Sequence, residues 1–290
     1  MILDWLKRQE NFTLIDKRIA NFFLKDDKNW QQLSIRSLAK LLFVSPSTIT
    51  RFCQKGGFSG FVSFKETLEK ENKMRLEQLG KINPNLPFEF EDNKESIAKK
   101  LQKLEIEAIK ETSSLLNFSD LDTITKLVNI YETICVYTLG DLGPLESFKN
   151  KFSKIGKCII IENMPLSAYN YVRFNSKRWL FILISYSGET PDTIKIGQEL
   201  RKNHGKMIAI TSVGKNTLSE LSDINLNLAT GGKLKNNFGN FSTSISEMYL
   251  LDLIYSYCFT DKFIENYKRK IEVANEYEKF RKSNNPLIRD

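Results

Sequence analysis

The stretch Ser45-Pro46-Ser47-Thr48-Ile49-Thr50-Arg51-Phe52-Cys53-Gln54-Lys55 decides how the first quarter of this chain folds. Ser45 is a strong N-cap, and Pro46 suits the first helical position, where a missing amide donor costs nothing. Ile49, Phe52 and Cys53 follow at the i, i+3, i+4 spacing of a buried stripe, so the pattern predicts a short helix. The opposite face carries Ser47, Thr50, Arg51, Gln54 and Lys55, with no acid among them. Such a face could lie against DNA.

Upstream, Ser34 caps a second short segment in which Ile35, Leu38, Ala39 and Leu42 fall at helical spacing, ending near Phe43. Further upstream, Thr13 and Asp16 form a weak capping box before Ile15, Ile19, Phe22 and Phe23, which predicts a helix over about 14 to 25. Downstream, Gly56-Gly57 stops the helix, because a left-handed cap costs glycine little. Two short amphipathic helices across a tight turn read as a helix-turn-helix. Charge agrees with that reading. Of the net charge of +8, residues 1–80 hold a surplus of five, and Ser34 to Lys65 contains Arg36, Lys40, Arg51, Lys55 and Lys65 but no acid. An acid-free window suits a polyanion, although a solvated basic face has the same composition.

A length of 290 residues exceeds one typical domain, and 41% hydrophobic residues supply ample core material. Cys53, Cys135, Cys158 and Cys258 form no CxxC or Cys/His spacing, which points to a reducing compartment and no structural metal. The early Asp4 interrupts any signal pattern, and the longest clean apolar run, Trp179 to Ile184, is too short to span a bilayer. The expectation is a cytoplasmic protein with no membrane association.

Residues 80–93 mix Gly80, Asn83, Pro84, Asn85 and Pro87 with Glu89, Glu91 and Asp92 and read as an interdomain hinge. A helix over about 95–116 follows, packing on its own domain or supporting a dimer. Helices over 120–131, 144–155 and 192–203 then alternate with strands at 134–138, 158–161, 179–184, 207–210 and 224–228. Strands bracketed by helices imply a parallel sheet covered on both faces, with ligands outside the carboxyl ends of the strands. The richest such end is Ser185-Tyr186-Ser187-Gly188-Glu189-Thr190-Pro191, whose hydroxyls, glycine and helix start suit an anion. Thr190 could instead simply cap the next helix. A final helix over Phe263 to Arg281 reads as exposed.

The run Leu33 to Ala39, then Val44 to Phe58 with Thr48-Ile49-Thr50-Arg51-Phe52-Cys53, then Gly60-Phe61 and Phe64-Lys65, resembles the DNA-binding domain of RpiR/MurR transcriptional regulators. Ser185-Tyr186-Ser187-Gly188-Glu189-Thr190 after an apolar strand, followed by Ala209 to Ser212 and Leu218 to Asp223, is similar to the sugar-isomerase (SIS) phosphosugar-binding domain. The resemblance implies a multidomain chain: an all-α helix-turn-helix domain over 1–78, a hinge and linker helix over 79–118, an α/β SIS domain with a five-stranded parallel sheet flanked by helices over 119–262, and a C-terminal helix and tail over 263–290. It implies that Ser45, Ser47, Thr48, Thr50, Arg51, Lys55 and Lys65 meet operator DNA. It further implies that Ser185, Tyr186, Ser187, Gly188 and Thr190, with Gly140 and Asp141 of the first loop, meet a sugar phosphate effector.

Two departures from the family pattern stand out. Phe43 occupies a turn position where relatives carry glycine, so the turn is expected to rearrange or to carry strain of about 1 kcal/mol. Asp141 falls at or near a ligand-contacting serine, where a carboxylate would repel phosphate unless it points away or pairs with a cation.

The function expected is a DNA-binding regulator of sugar metabolism genes, a homodimer or homotetramer that senses a phosphorylated sugar and needs no cofactor, metal or catalytic residue. The alternatives are a sugar-phosphate isomerase with an appended domain, for which Glu247 would be the proton-transfer candidate, or a regulator that has lost ligand sensing. The single histidine, His204, sits at a helix end without a catalytic partner in the sequence.

Overall fold

The computed structural model describes residues 2–24, 30, 33–78, 82–278, 280 and 287. The chain divides into two compact units, residues 1–81 and 82–290.

The first unit is all helical: α1 (Ile2–Arg8), α2 (Leu14–Leu24), α3 (Ile35–Leu41), α4 (Pro46–Lys55) and α5 (Phe61–Gln78). Its core joins Leu6, Ile19, Phe23, Leu38, Ala39, Ile49, Phe52, Phe64 and Leu68. The Thr13–Asp16 box forms reciprocally, each side chain accepting from the other's amide. Helices α1 and α5 carry little signal in the sequence. The first is only seven residues long, and the second is mostly charged beyond its first two turns.

The ends of α3 and α4 show one solution reached with two different residues. In each, the third residue past the helix donates its amide back across the last turn, Val44 to Ala39 O at 3.0 Å and Phe58 to Cys53 O at 3.1 Å. This closure requires a left-handed residue between them. After α4 that residue is Gly57, with φ of +86°; after α3 it is Phe43, with φ of +51° and 88% of its surface exposed. The turn at Phe43 therefore keeps its geometry, with Arg18 donating to Leu42 O at 2.8 Å beside it. Phe43→Gly should raise the stability of this unit by about 0.5–1 kcal/mol, glycine's extra chain entropy offsetting part of the relieved strain. The denaturant midpoint measures it.

The second unit is a three-layer α/β structure. Its elements are α6 (Lys94–Ser114), α7 (Phe118–Ile130), β1 (Thr133–Thr138), α8 (Gly143–Ser153), β2 (Cys158–Glu162), α9 (Pro165–Asn175), β3 (Leu180–Ile184), α10 (Pro191–Lys202), β4 (Lys206–Ser212), α11 (Thr217–Leu221), β5 (Ile224–Leu228), α12 (Phe241–Asp261) and α13 (Phe263–Tyr277). The strands are parallel in the order β2-β1-β3-β4-β5. Side chains alternate along β1: Ile134 and Val136 enter a core with α7, α8 and α12, while Cys135 and Tyr137 enter one with α9, α10 and α11. All five residues of β3 are buried, as expected of a central strand with both faces covered. Among the described residues no helix is long and apolar enough to cross a membrane.

The stretch expected as a free hinge is not one from Ile82 onward. Ile82 and Asn85 are buried. Asn85 Oδ1 accepts the Lys233 amide at 2.6 Å and its carbonyl accepts the Phe238 amide at 3.0 Å. Phe88 meets Phe241 edge-on at 6.2 Å. Asparagine and proline read as turn formers in sequence, yet here they strap the segment to its own unit. The part of the hinge at 79–81 lies outside the described residues, as do residues 279, 281–286 and 288–290 of the C-terminal segment.

Candidate functional site

Helix α4 presents its two faces as its sequence dictates. Ser45 Oγ accepts the Thr48 amide at 3.1 Å and lies 2.7 Å from Ser47 Oγ and 2.8 Å from Thr48 Oγ1, so these hydroxyls form one network at the helix start. Thr50 Oγ1 donates to Pro46 O at 3.1 Å. Arg51 is exposed and has no partner among the described residues. Lys55 is different: its ammonium pairs with Asp16 at 3.0 Å and also donates to Asn11 O. It therefore has competing partners within its own domain. Lys65 lies over the Phe61 ring at 6.0 Å, on α5. Ser47, Arg51 and Gln54 are what the helix offers outward.

In the α/β unit, the strand order places a switch point between β1 and β3, where successive connections leave in opposite directions. Ligands of open parallel sheets bind there. Thr138 pairs with Ile184, so the loops after β1 and β3 leave the sheet at the same level. These are the loops holding Gly140 and Asp141, and Ser185 to Thr190.

The second loop is tightly built. The Gly188 amide donates to Ser185 O at 3.0 Å, the Ser185 amide to Ile210 O at 3.1 Å, and the Ser212 amide to Tyr186 O at 2.9 Å. Thr190 does not use its hydroxyl to cap α10; it meets Ser185 Oγ at 2.8 Å instead. The α10 start thus keeps free amides beside paired hydroxyls, an arrangement able to hold an oxyanion. Ser187 Oγ accepts the Glu189 amide at 3.1 Å. Glu189 turns away from the loop to accept from the Thr217 amide and hydroxyl at 2.7 and 2.8 Å, and these bonds hold its carboxyl below the usual range.

The sequence reading missed the brace behind this loop. Gly188 has φ of +66°, and a Cβ there would lie 1.9 Å from Asn216 Oδ1. Asn216 is buried; its Oδ1 accepts the Ser219 amide at 2.9 Å, closing a capping box on α11. Asn216-x-x-Ser219 is legible as such a box. Tyr186 adds a second tie, its hydroxyl donating to Gly232 O at 2.7 Å. The loop at 229–240 is held by this bond, by the Asn85 strap, and by Thr112 Oγ1 on α6, which accepts the Ala229 amide at 3.1 Å.

Asp141 neither pairs with a cation nor points at the Ser185 hydroxyl. One of its oxygens accepts the Gly143 amide at 2.9 Å at the start of α8, and the other accepts Ser244 Oγ at 3.4 Å. Gly140 donates to Thr138 Oγ1 at 3.0 Å. On α12, Glu247 is 6% exposed and its Oε1 has no hydrogen-bond partner. Burial, and then the charge of Asp141, push its carboxyl up to about 8.

Comparison with known proteins agrees with both halves. The family model described as the helix-turn-helix domain of the rpiR family matches residues 4–74, and that of the SIS domain matches residues 146–257. An uncharacterized HTH-type transcriptional regulator of Haemophilus influenzae is 29% identical over 257 residues, covering 85% of each chain. Another, from Clostridium perfringens, is 28% identical over 269 residues, covering 91% of this chain and 93% of the relative. Among solved structures, the Vibrio vulnificus NanR protein complexed with ManNAc-6P is similar with a TM-score of 0.58 at 20% identity, covering 98% of this chain and 100% of that one.

Proposed function

We propose that this chain, whose residues 4–74 match the helix-turn-helix domain of the rpiR family and whose residues 146–257 match the SIS domain, is a transcriptional regulator that binds operator DNA through α4 and senses a sugar phosphate at the β1/β3 switch point. The observation that carries the sensor half is the Ser185–Thr190 loop: paired hydroxyls and free helix amides converge where an open sheet takes its ligands. NanR, similar in fold, is complexed with ManNAc-6P, a ligand of this class. For the DNA half, the outward Ser47, Arg51 and Gln54 face lacks any acid, and Ser45, Thr48 and Thr50 fix the helix start. One helix reads only a few base pairs, so the DNA-bound form is a dimer or larger on a near-palindromic site. The regulator reading is favoured over an isomerase because the first unit has no use in sugar isomerisation.

Selection of bound DNA from a random duplex pool, followed by anisotropy titration with and without a panel of sugar phosphates, tests both halves. A selected site whose affinity shifts on adding a bound sugar phosphate is expected. No preferred site would overturn the regulator reading. Tight sugar phosphate binding that leaves DNA affinity unchanged would overturn the sensor reading.

The coupling route follows from the ties of the 229–240 loop. Tyr186 contacts it from the effector loop and Asn85 from the residues that lead into the first unit. An effector must bind the two DNA-binding states differently to act at all. Asn85→Ala should leave effector affinity within about threefold while reducing the effector-induced change in DNA affinity by about tenfold, the two read in parallel titrations.

A further inference from the structure

The two sides of the switch point differ in charge. The Ser185–Thr190 side offers hydroxyls and amides, whereas the first loop and α12 offer acids. Asp141 is touched by Ser244, and Glu247 lies one turn further along the same helix. Neither carboxyl lies within ion-pair distance of a lysine or arginine among the described residues. Glu247 is buried with Oε1 unmet, and an unmet buried polar oxygen is costly unless something supplies a donor. Its raised pKa accords with a carboxyl that lacks its cation.

A donor with positive charge satisfies both groups at once. A divalent metal fits poorly, because hard cations want about six oxygen ligands and only two carboxyls are present, one of them already holding an amide. An ammonium needs only two or three acceptors. We infer that the effector is an amino-sugar phosphate, its phosphate on the Ser185–Thr190 loop and its free ammonium between Asp141 and Glu247. This rests on the sugar phosphate reading above and narrows it. The acid at position 141, unsuited to a ligand that is only anionic, becomes the group that selects a zwitterionic one.

Calorimetric titration of the full chain with glucosamine 6-phosphate, glucose 6-phosphate and N-acetylglucosamine 6-phosphate at one pH tests this. Glucosamine 6-phosphate should bind at least about tenfold tighter than the other two, and in Glu247→Gln that ratio should fall below about threefold. Asp141→Asn serves as a second variant, on an exposed loop, and should also shrink the ratio. Equal or tighter binding of the two sugar phosphates that lack an ammonium, or a preference that survives both substitutions, overturns the inference while leaving sugar phosphate sensing intact. Failure of all three to bind the wild-type chain removes the broader reading and this inference with it.

Discussion

Replacing Gly188 by alanine is expected to abolish effector binding and to lower the melting temperature of the α/β unit by roughly 5–10 °C. Two costs add. The backbone at this position is left-handed, which costs a residue with a Cβ about 1 kcal/mol. The new methyl would also stand 1.9 Å from Asn216 Oδ1, so the asparagine must leave. Its departure strips the cap from α11, worth about 1 kcal/mol more, and leaves a buried amide group without its partners. Moving Asn216 also frees the loop that aligns Ser185 with Thr190. Differential scanning calorimetry with a parallel ligand titration reads both effects. An alanine variant that melts and binds like wild type would show that Asn216 does not brace the loop.

Arg51→Ala should weaken operator binding by about 1–3 kcal/mol, or roughly five- to 150-fold, with folding unchanged. The reason is that Arg51 is exposed on the outward face of α4 and its five donors are uncommitted. If it reads a base, the loss will be confined to one position of the site; if it holds a phosphate, every sequence weakens alike and the salt slope falls by about one unit. Lys55 makes the contrast. Its pairing with Asp16 must be broken or shared before it reaches DNA, so Lys55→Ala should have the smaller effect of the two. A larger loss at Lys55 than at Arg51 would reverse the assignment of the recognition face.

What sequence could tell follows from where the information sits. The cap, proline and apolar stripe of α4 are local, and local signals were sufficient there. Four of the strands are short, mainly apolar runs between helices and β5 alternates Ile and Leu with Asn, so the parallel sheet was legible too. Helix α9 escaped because only Ala168 and Val172 of its eleven residues are buried and its N-cap, Met164, makes no side-chain hydrogen bond. Residues 82–93 misled because turn-forming composition says nothing about which distant amides an asparagine will accept. The place of Asp141 in the first loop is readable from the family pattern, but its orientation depends on Gly143 and on Ser244, a hundred residues away. The brace between Gly188 and Asn216 was likewise a contact between two readable motifs that no spacing joins.

The Asn85 strap bears on how such proteins can be recombined. Since residues from Ile82 belong structurally to the α/β unit, an exchange of helix-turn-helix units between relatives should be spliced at 79–81. A splice at residue 94, at the start of α6, would look equally natural on secondary structure. It would discard Asn85 and Phe88, strand the amides of Lys233 and Phe238, and uncover Phe241. Such a chimaera would carry an intact head and a complete effector loop, yet have lost the segment through which one can answer the other.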